Sequence, residues 1–439
     1  MADLYIYYDE KGPTDTIRIT KNNEFNFLVS SDKLIEYYGF YLIIEDDNLN
    51  SINSAYKKLE ESRKNEGGRE LKSRSNLPRK KNIEKKGFGA FRHVHINFYN
   101  QLLDILIDNG YNYQLVVTNK AFSLISDILK PWIDWYEKNI GYIHVPLVEY
   151  TINKFLINEK ESSSNFFEII KQSQRKDIPV NVVLDELIVS FENFIKKYKK
   201  ISKYKLAIEN FEYIGRLFRN RPENEVLLGK VHEISSDDLY FGFDLLCEEA
   251  KLNYNDMIFC FDEESLDECF FKNKDKFKNV SEKNSITTVG IRISDMLVGL
   301  FGSLVDSFGI AVKADEHKKL NYLPQEFFEE IDNEQFYFIK KISKFLKLPN
   351  FIFNYFHSIY NDNLMSFISF MKVISTYKSY EEYERILRNN VKSLIEEHFK
   401  FFSSQFNDME QKWMDSESYI RLLGATHKEL YDKGYIRKY

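Results

Sequence analysis

Two short runs in this chain, YQLVVTN (113–119) and the strand core of DMIFCFDEE (256–264), are apolar at consecutive positions rather than alternate ones. A strand of that kind is buried on both faces, so it belongs in a sheet covered above and below. Elsewhere the spacing is different. Leu4, Ile6 and Tyr8 alternate with Tyr5, Tyr7 and Asp9, a period of two, and TIRITKNNEFNFLV (16–29) reads as two strands about the turn Lys21-Asn22-Asn23-Glu24. FYLIIED (40–46) is another strand, so an antiparallel meander opens the chain. Helical periodicity follows in NLNSINSAYKKLEESRKN (48–65), in residues 94–109, and in SITTVGIRISDMLVGLFG (285–302).

Strands interleaved with helices after a meander predict an α/β (α+β) fold, a mixed sheet flanked by helices. The 439 residues leave room for two or three domains. The patterning divides them into the N-terminal part of a core (1–150), a mainly helical insertion (151–250), the C-terminal part of the core (251–323) and a helical C-terminal domain (324–439). In that last segment Phe327, Phe328, Phe336 and Phe338 read as core packing rather than as platforms for bases.

Net charge is −6, so nucleic acid can be held only by a local basic patch. The three cysteines, Cys247, Cys260 and Cys269, form no CxxC pair, which argues against a disulfide scaffold and for a reducing, cytoplasmic setting. The first residues carry no basic, apolar leader, and the longest apolar stretch, MLVGLFGSLV, is too short to span a bilayer, so no membrane partner is expected.

Acids end both apolar strands: Asp9 in YIYYDE and Asp262 in MIFCFDEE. A third, Asp295, lies beside the apolar stripe of the 285–302 helix, with Gly299 and Gly302 at i+4 and i+7. Glycines inside a helix cost roughly 1 kcal/mol each relative to alanine. Their presence predicts close approach to another element, and therefore an Asp295 that faces the sheet. A fourth acid, Glu70, precedes the basic run RELKSRSNLPRKKNIEKKGFGAFRH, in which Lys72, Arg74, Arg79, Lys80 and Lys81 are the candidate substrate-binding residues. Clustered carboxylates suit hard divalent cations such as Mg²⁺ or Mn²⁺, and a basic segment beside them suits phosphate.

The order of these motifs, DE-x-G on the first strand, ELK after the first long helix, a strand ending in Asp and a late helix GIRISDMLVG, resembles the domain of unknown function 3800 family. The resemblance spans about residues 3–310, interrupted by the helical insertion. It implies a ribonuclease-H-like sheet and a metal-dependent nuclease cleaving DNA or RNA in phage defence or as a toxin. Asp9, Glu70, Asp262 and Asp295 would be its catalytic acids, the three aspartates its metal ligands, and Glu10 and Glu263 neighbours able to substitute. Lys11, Arg292 and Ser294 stand where that family usually has Ser, Gln and Ala, and Arg292, one turn from Asp295, is a competing partner for its carboxylate.

The alternative expectation is a non-catalytic nucleic-acid- or protein-binding module on the same fold, with the C-terminal helical domain serving a protein partner or self-association. Two lesser motifs are His93-x-His95, which lacks a third metal ligand in sequence, and Arg421 with His427, spaced as in the helical HEPN ribonucleases but with Leu422 after the arginine.

Overall fold

In a computed structural model of the chain, the alternating opening residues form β1, Leu4–Lys11. The structure describes residues 3–12, 25, 36–63, 71–109, 111–141, 143–173, 176–222, 226–228, 242–244, 246–247, 250–262, 273–313, 323–355 and 362–414. After β1 come β2 (Glu36–Glu45), α1 (Asp46–Glu61), the one-turn α2 (Ser73–Asn76), α3 (Lys80–Lys86), α4 (His93–Ile107) and β3 (Asn112–Asn119). Five helices follow: α5 (Lys120–Asn139), α6 (Val145–Asn158), α7 (Lys160–Ser173), α8 (Val180–Tyr198) and α9 (Lys205–Arg219). Further along lie β4 (Met257–Asp262), β5 (Asn279–Lys283), α10 (Val289–Lys313), α11 (Glu326–Glu329), α12 (Asn333–Phe345), β6 (Phe351–Tyr355), α13 (Asp362–Thr376) and α14 (Tyr380–Met414). None of the described helices is long and apolar enough to cross a membrane.

The chain divides into two compact units. The first comprises Met1–Leu124, His232–His357 and Asn361–His398; the second comprises Ile125–Val231, Ser358–Tyr360 and Phe399–Tyr439. In the first, one mixed sheet has the order β5-β4-β1-β2-β3-β6. β2 runs antiparallel to both β1 and β3, while β4 is parallel to β1, β5 to β4 and β6 to β3. Among the described strands, only β2 therefore opposes the common direction.

Both faces of this sheet are apolar, as the consecutive apolar runs require. Ile6 and Tyr8 of β1 share one face with Tyr41, Ile43, Val116, Phe259 and Phe261, closed over by Phe243, Leu246 and Cys247. Gln114 is buried on β3 and donates from Nε2 to the Gly242 carbonyl at 2.6 Å, which satisfies that end of its amide. The other face receives α10: Phe40 of β2 stacks on Phe301 at 6.2 Å, Phe301 on Phe345 at 6.1 Å, and Tyr113 of β3 tilts against Phe345 at 4.9 Å. A further aromatic layer lies beyond α10, where Phe88 stacks on Phe367 and Phe370 at 6.1 and 5.9 Å.

The second unit has its own core. Trp132 of α5 is fully buried, meets Phe218 edge-on at 4.8 Å and donates its indole N–H to the Asn220 carbonyl. Phe191 of α8 stacks on Phe211 of α9 at 4.7 Å, and Phe155 of α6 meets both edge-on.

The strands at 4–9, 40–46, 113–119 and 256–264 agree with the sequence, with β2 starting earlier, at Glu36. Two strands escaped it. β5, NVSEK, is a half-exposed edge with no apolar alternation, and β6, FIFNY, is too short for its period to be told from a helix. Of the two strands expected in 16–29, only Phe25 lies within the described residues, and it is buried. The domain boundaries differ more. Residues 324–398 do not stand apart as a helical domain: they supply β6 to the sheet and group with the first unit, while the helical unit begins at Ile125 rather than 151 and closes its main segment at Val231 rather than 250. Helical periodicity locates a buried face but does not say which core it joins. Phe327, Phe328, Phe336 and Phe338 are all buried, as core packing requires.

Candidate active site

The alternation of β1 puts Tyr5, Tyr7, Asp9 and Lys11 on the face that receives α10. Contacts along α10 fix the level of each. Ser294 donates its hydroxyl to the Tyr7 carbonyl at 3.1 Å, and a Cβ at Gly302 would lie 2.9 Å from both the Lys11 Cδ and the Tyr38 ring. Asp9 lies between Tyr7 and Lys11 in the strand, so it lies under the stretch of α10 that carries Asp295. The parallel register pairs Tyr7 with Cys260 and Tyr8 with Phe261, which brings Asp262, the last residue of β4, level with Asp9 and on the same face.

Electrostatics agree with this placement. Burial raises the Asp9 carboxyl well above its ordinary value of 3.8; the Asp295 charge adds most among its neighbours, with Glu10 and Asp262 contributing, while the Glu10 N–H, donated to Asp9 Oδ1 at 2.7 Å, opposes the shift. Glu10 follows Tyr8 to the opposite face by alternation. Burial raises its carboxyl too, the Tyr8 and Tyr37 side chains oppose that, and Asp262 adds to it.

Asp295 is held from a third element. Its Oδ2 accepts the Ser73 N–H at 2.9 Å and its Oδ1 the Ser73 hydroxyl at 2.7 Å, so α2 is tied to α10 through this carboxylate. A Cβ at Gly299 would lie 2.4 Å from the Ser73 Cβ, so only glycine lets Ser73 approach. The competition expected from Arg292 does not arise. Its guanidinium turns into the interior, forks onto Glu60 of α1 at 2.8 and 3.0 Å, and spends Nη1 on the Ser285 and Ile286 carbonyls.

The basic segment is folded, not a solvated loop. Gly87–Ala90 forms a 3₁₀ turn after α3, and Ile83 of α3 is buried. With α10 it encloses a cavity of about 430 Å³ whose lining includes Arg74, Arg79, Lys80, Lys11, Asp295 and Asp306. Three of the five candidate substrate-binding residues thus come together there. Lys72 turns away toward the Ser285 hydroxyl at 3.5 Å, and Lys81 lies outside the lining. Glu70, Glu263, Arg421 and His427 lie outside the described residues.

Lys11, noted in the sequence only as a departure, reaches Asp306 Oδ2 at 3.3 Å, and the Tyr38 hydroxyl donates to Asp306 Oδ1 at 2.6 Å. Burial pushes the Lys11 ammonium below its ordinary value, Asp306 pulls it back, and Lys80 adds to the lowering. Asp306 had a legible signal: Asp295, Gly299, Gly302 and Asp306 follow the helical i, i+4, i+7, i+11 spacing.

His93 is exposed and pairs with Glu334, while His95 Nδ1 accepts the Arg92 N–H at 3.1 Å, so both serve the α4 terminus and its neighbours. Among the described residues, no three His, Cys, Asp or Glu side chains are grouped tightly enough to hold a metal ion. Charges perturb one another across longer distances than coordinate bonds span, so this does not conflict with the shift at Asp9. The donors are hard carboxylate oxygens, which fits Mg²⁺ or Mn²⁺ in kind; binding would have to draw Asp9, Asp262 and Asp295 closer than they stand. Compared with protein-family models, curated proteins and solved structures, the chain matches none.

Proposed function

We propose that this chain is a divalent-metal-dependent nuclease built on a ribonuclease-H-like sheet, related to the domain of unknown function 3800 family and acting on DNA or RNA. One observation carries the reading: Asp9 of β1, Asp262 of β4 and Asp295 of α10 stand toward one end and one face of the sheet, and the charges of Asp295 and Asp262 help raise the proton affinity of Asp9. Structural ion-pair networks compensate charge locally, whereas like charges held together against repulsion are characteristic of sites that await a cation. The order of the described strands, among which β2 alone is reversed, supports the same fold assignment.

Mg²⁺ or Mn²⁺ held by Asp9, Asp262 and Asp295 would supply water activation and charge stabilisation at the leaving oxygen. The protein's own residues do the rest. Ser73 fixes the Asp295 carboxylate, Ser294 pins α10 to β1 so that Asp295 and Asp9 keep their level, and Arg74, Arg79 and Lys80 offer cations to the phosphates on either side of the scissile bond. A second reading, a binding module that keeps the fold without hydrolysis, is favoured by the occupation of both Asp295 oxygens by Ser73 and by the open grouping of the acids.

Thermal unfolding separates the two. Millimolar Mn²⁺ should raise the melting temperature of the wild-type protein, since a ligand present at about 100 times its Kd stabilises the native state by about 2.7 kcal/mol. Asp9→Asn and Asp262→Asn should lose that shift together with nuclease activity. A wild-type melting point indifferent to both Mn²⁺ and Mg²⁺ would remove the metal site and leave the binding module.

A further inference from the structure

The cavity beside the acids is shaped for something smaller than a duplex. Its volume is about 430 Å³, within the range of small-molecule sites, and it is walled on one side by α10 and on the other by the residues of α2 and α3 with the turn between them. Three kinds of surface line it. Arg74, Arg79 and Lys80 are exposed, and none forms an ion pair among the described residues. Leu77, Ile83 and Val298 form an apolar wall, the last two buried to within 3% of complete. The third surface is acidic: Glu10, Glu84, Asp295 and Asp306 also line the cavity.

A ligand suited to the cationic and apolar surfaces carries an anion and an apolar face. A nucleotide has both: the phosphate and the base plane. Its base is free to enter only when unpaired, because a stacked and paired base presents edges and backbone to a protein, not its face. We infer that this cavity receives one unpaired nucleotide of a nucleic-acid strand, with its phosphate at Arg79, Lys80 and Arg74 and its base against Leu77, Ile83 and Val298. The substrate is thereby a single strand, a strand end or an extruded nucleotide rather than an intact duplex. This deepens the nuclease reading and rests on it for the identity of the polymer.

The test is binding measured by fluorescence anisotropy in EDTA, with a labelled single strand of about ten nucleotides, as DNA and as RNA, and the matching duplexes. At least one single strand should bind more tightly than its duplex. Arg79→Gln with Lys80→Gln should weaken it about tenfold, the loss expected for charge-assisted hydrogen bonds. Lys81→Gln with Lys85→Gln removes the same charge from the same basic segment outside the cavity and should weaken it far less. All four side chains are exposed, so the variants should melt as the wild type does. Equal losses in the two double variants, a preference for duplex, or no binding by any probe would each overturn the inference. The metal is excluded by design. A chain that binds single strands but ignores Mn²⁺ loses the hydrolytic reading and keeps the cavity assignment; one stabilised by Mn²⁺ but indifferent to single strands does the reverse.

Discussion

At the residue scale, two ionisable groups on α10 and β1 have opposite fates. Arg292 is buried, with 5% of its side chain exposed, and so is its partner Glu60; a bidentate fork and two carbonyls satisfy the guanidinium. Such a pair is costly to break, since removing one partner strands the other charge, and it holds α1 against α10 rather than serving chemistry. Asp9 is the reverse case, a carboxylate whose surroundings disfavour its charge. Its folded proton affinity is raised, so the folded state binds more protons than the unfolded one above the ordinary value of 3.8, and stability falls as pH climbs through that window. Asp9→Asn removes this penalty. Without metal, its melting temperature should exceed the wild type's, by a margin that widens as pH rises above about 4, where the unfolded carboxylate ionises. A margin independent of pH, or a mutant less stable throughout, would mean that Asp9 is an ordinary solvated strand end.

At the element scale, α10 organises the site, and its glycines set how near its neighbours come. Replacing a helical glycine by alanine gains roughly 1 kcal/mol of propensity when nothing stands in the way. At Gly215 of α9 nothing lies within 4 Å of the added carbon, so Gly215→Ala should stabilise. At Gly299 the added carbon meets Ser73 at 2.4 Å, and forced overpacking costs typically 1–3 kcal/mol. Gly299→Ala should therefore destabilise despite the better helix former, and it should displace the serine that holds Asp295. Chemical denaturation of both variants checks the signs; a stabilising Gly299→Ala would show that α2 is not held against α10.

At the scale of the whole molecule, the sheet unit draws on three separate stretches of chain, the last of which ends at His398. Residues 324–398 supply β6, which pairs with β3, and α12 and α13, which carry the aromatic side chains packed around Phe301 and Phe88. A chain truncated after residue 323, at the boundary that periodicity suggests, should expose that layer and lose the sheet unit's cooperative unfolding transition in calorimetry, leaving at most that of the second unit. A native-like transition would restore the C-terminal segment as a domain in its own right.

Local chemistry was written plainly enough in the sequence to be read in advance. Consecutive apolar residues marked β3 and β4 as buried on both faces, strict alternation marked β1, and two glycines one and two turns beyond Asp295 announced a helix lying close to other elements. These are short-range signals, set by the two- and 3.6-residue periods and by the cost of a missing side chain. What depended on partners far along the chain was decided only by the tertiary structure. Arg292 could equally have taken Asp295 one turn away, and it is the burial of Glu60, 232 residues earlier, that claims it. The edge strands β5 and β6 exist because a neighbour offers a ladder, not because five residues insist on extending. Arg74, Arg79 and Lys80 were separable from Lys72 and Lys81 only once the short helices α2 and α3 had folded against α10 and given the basic run an inside and an outside.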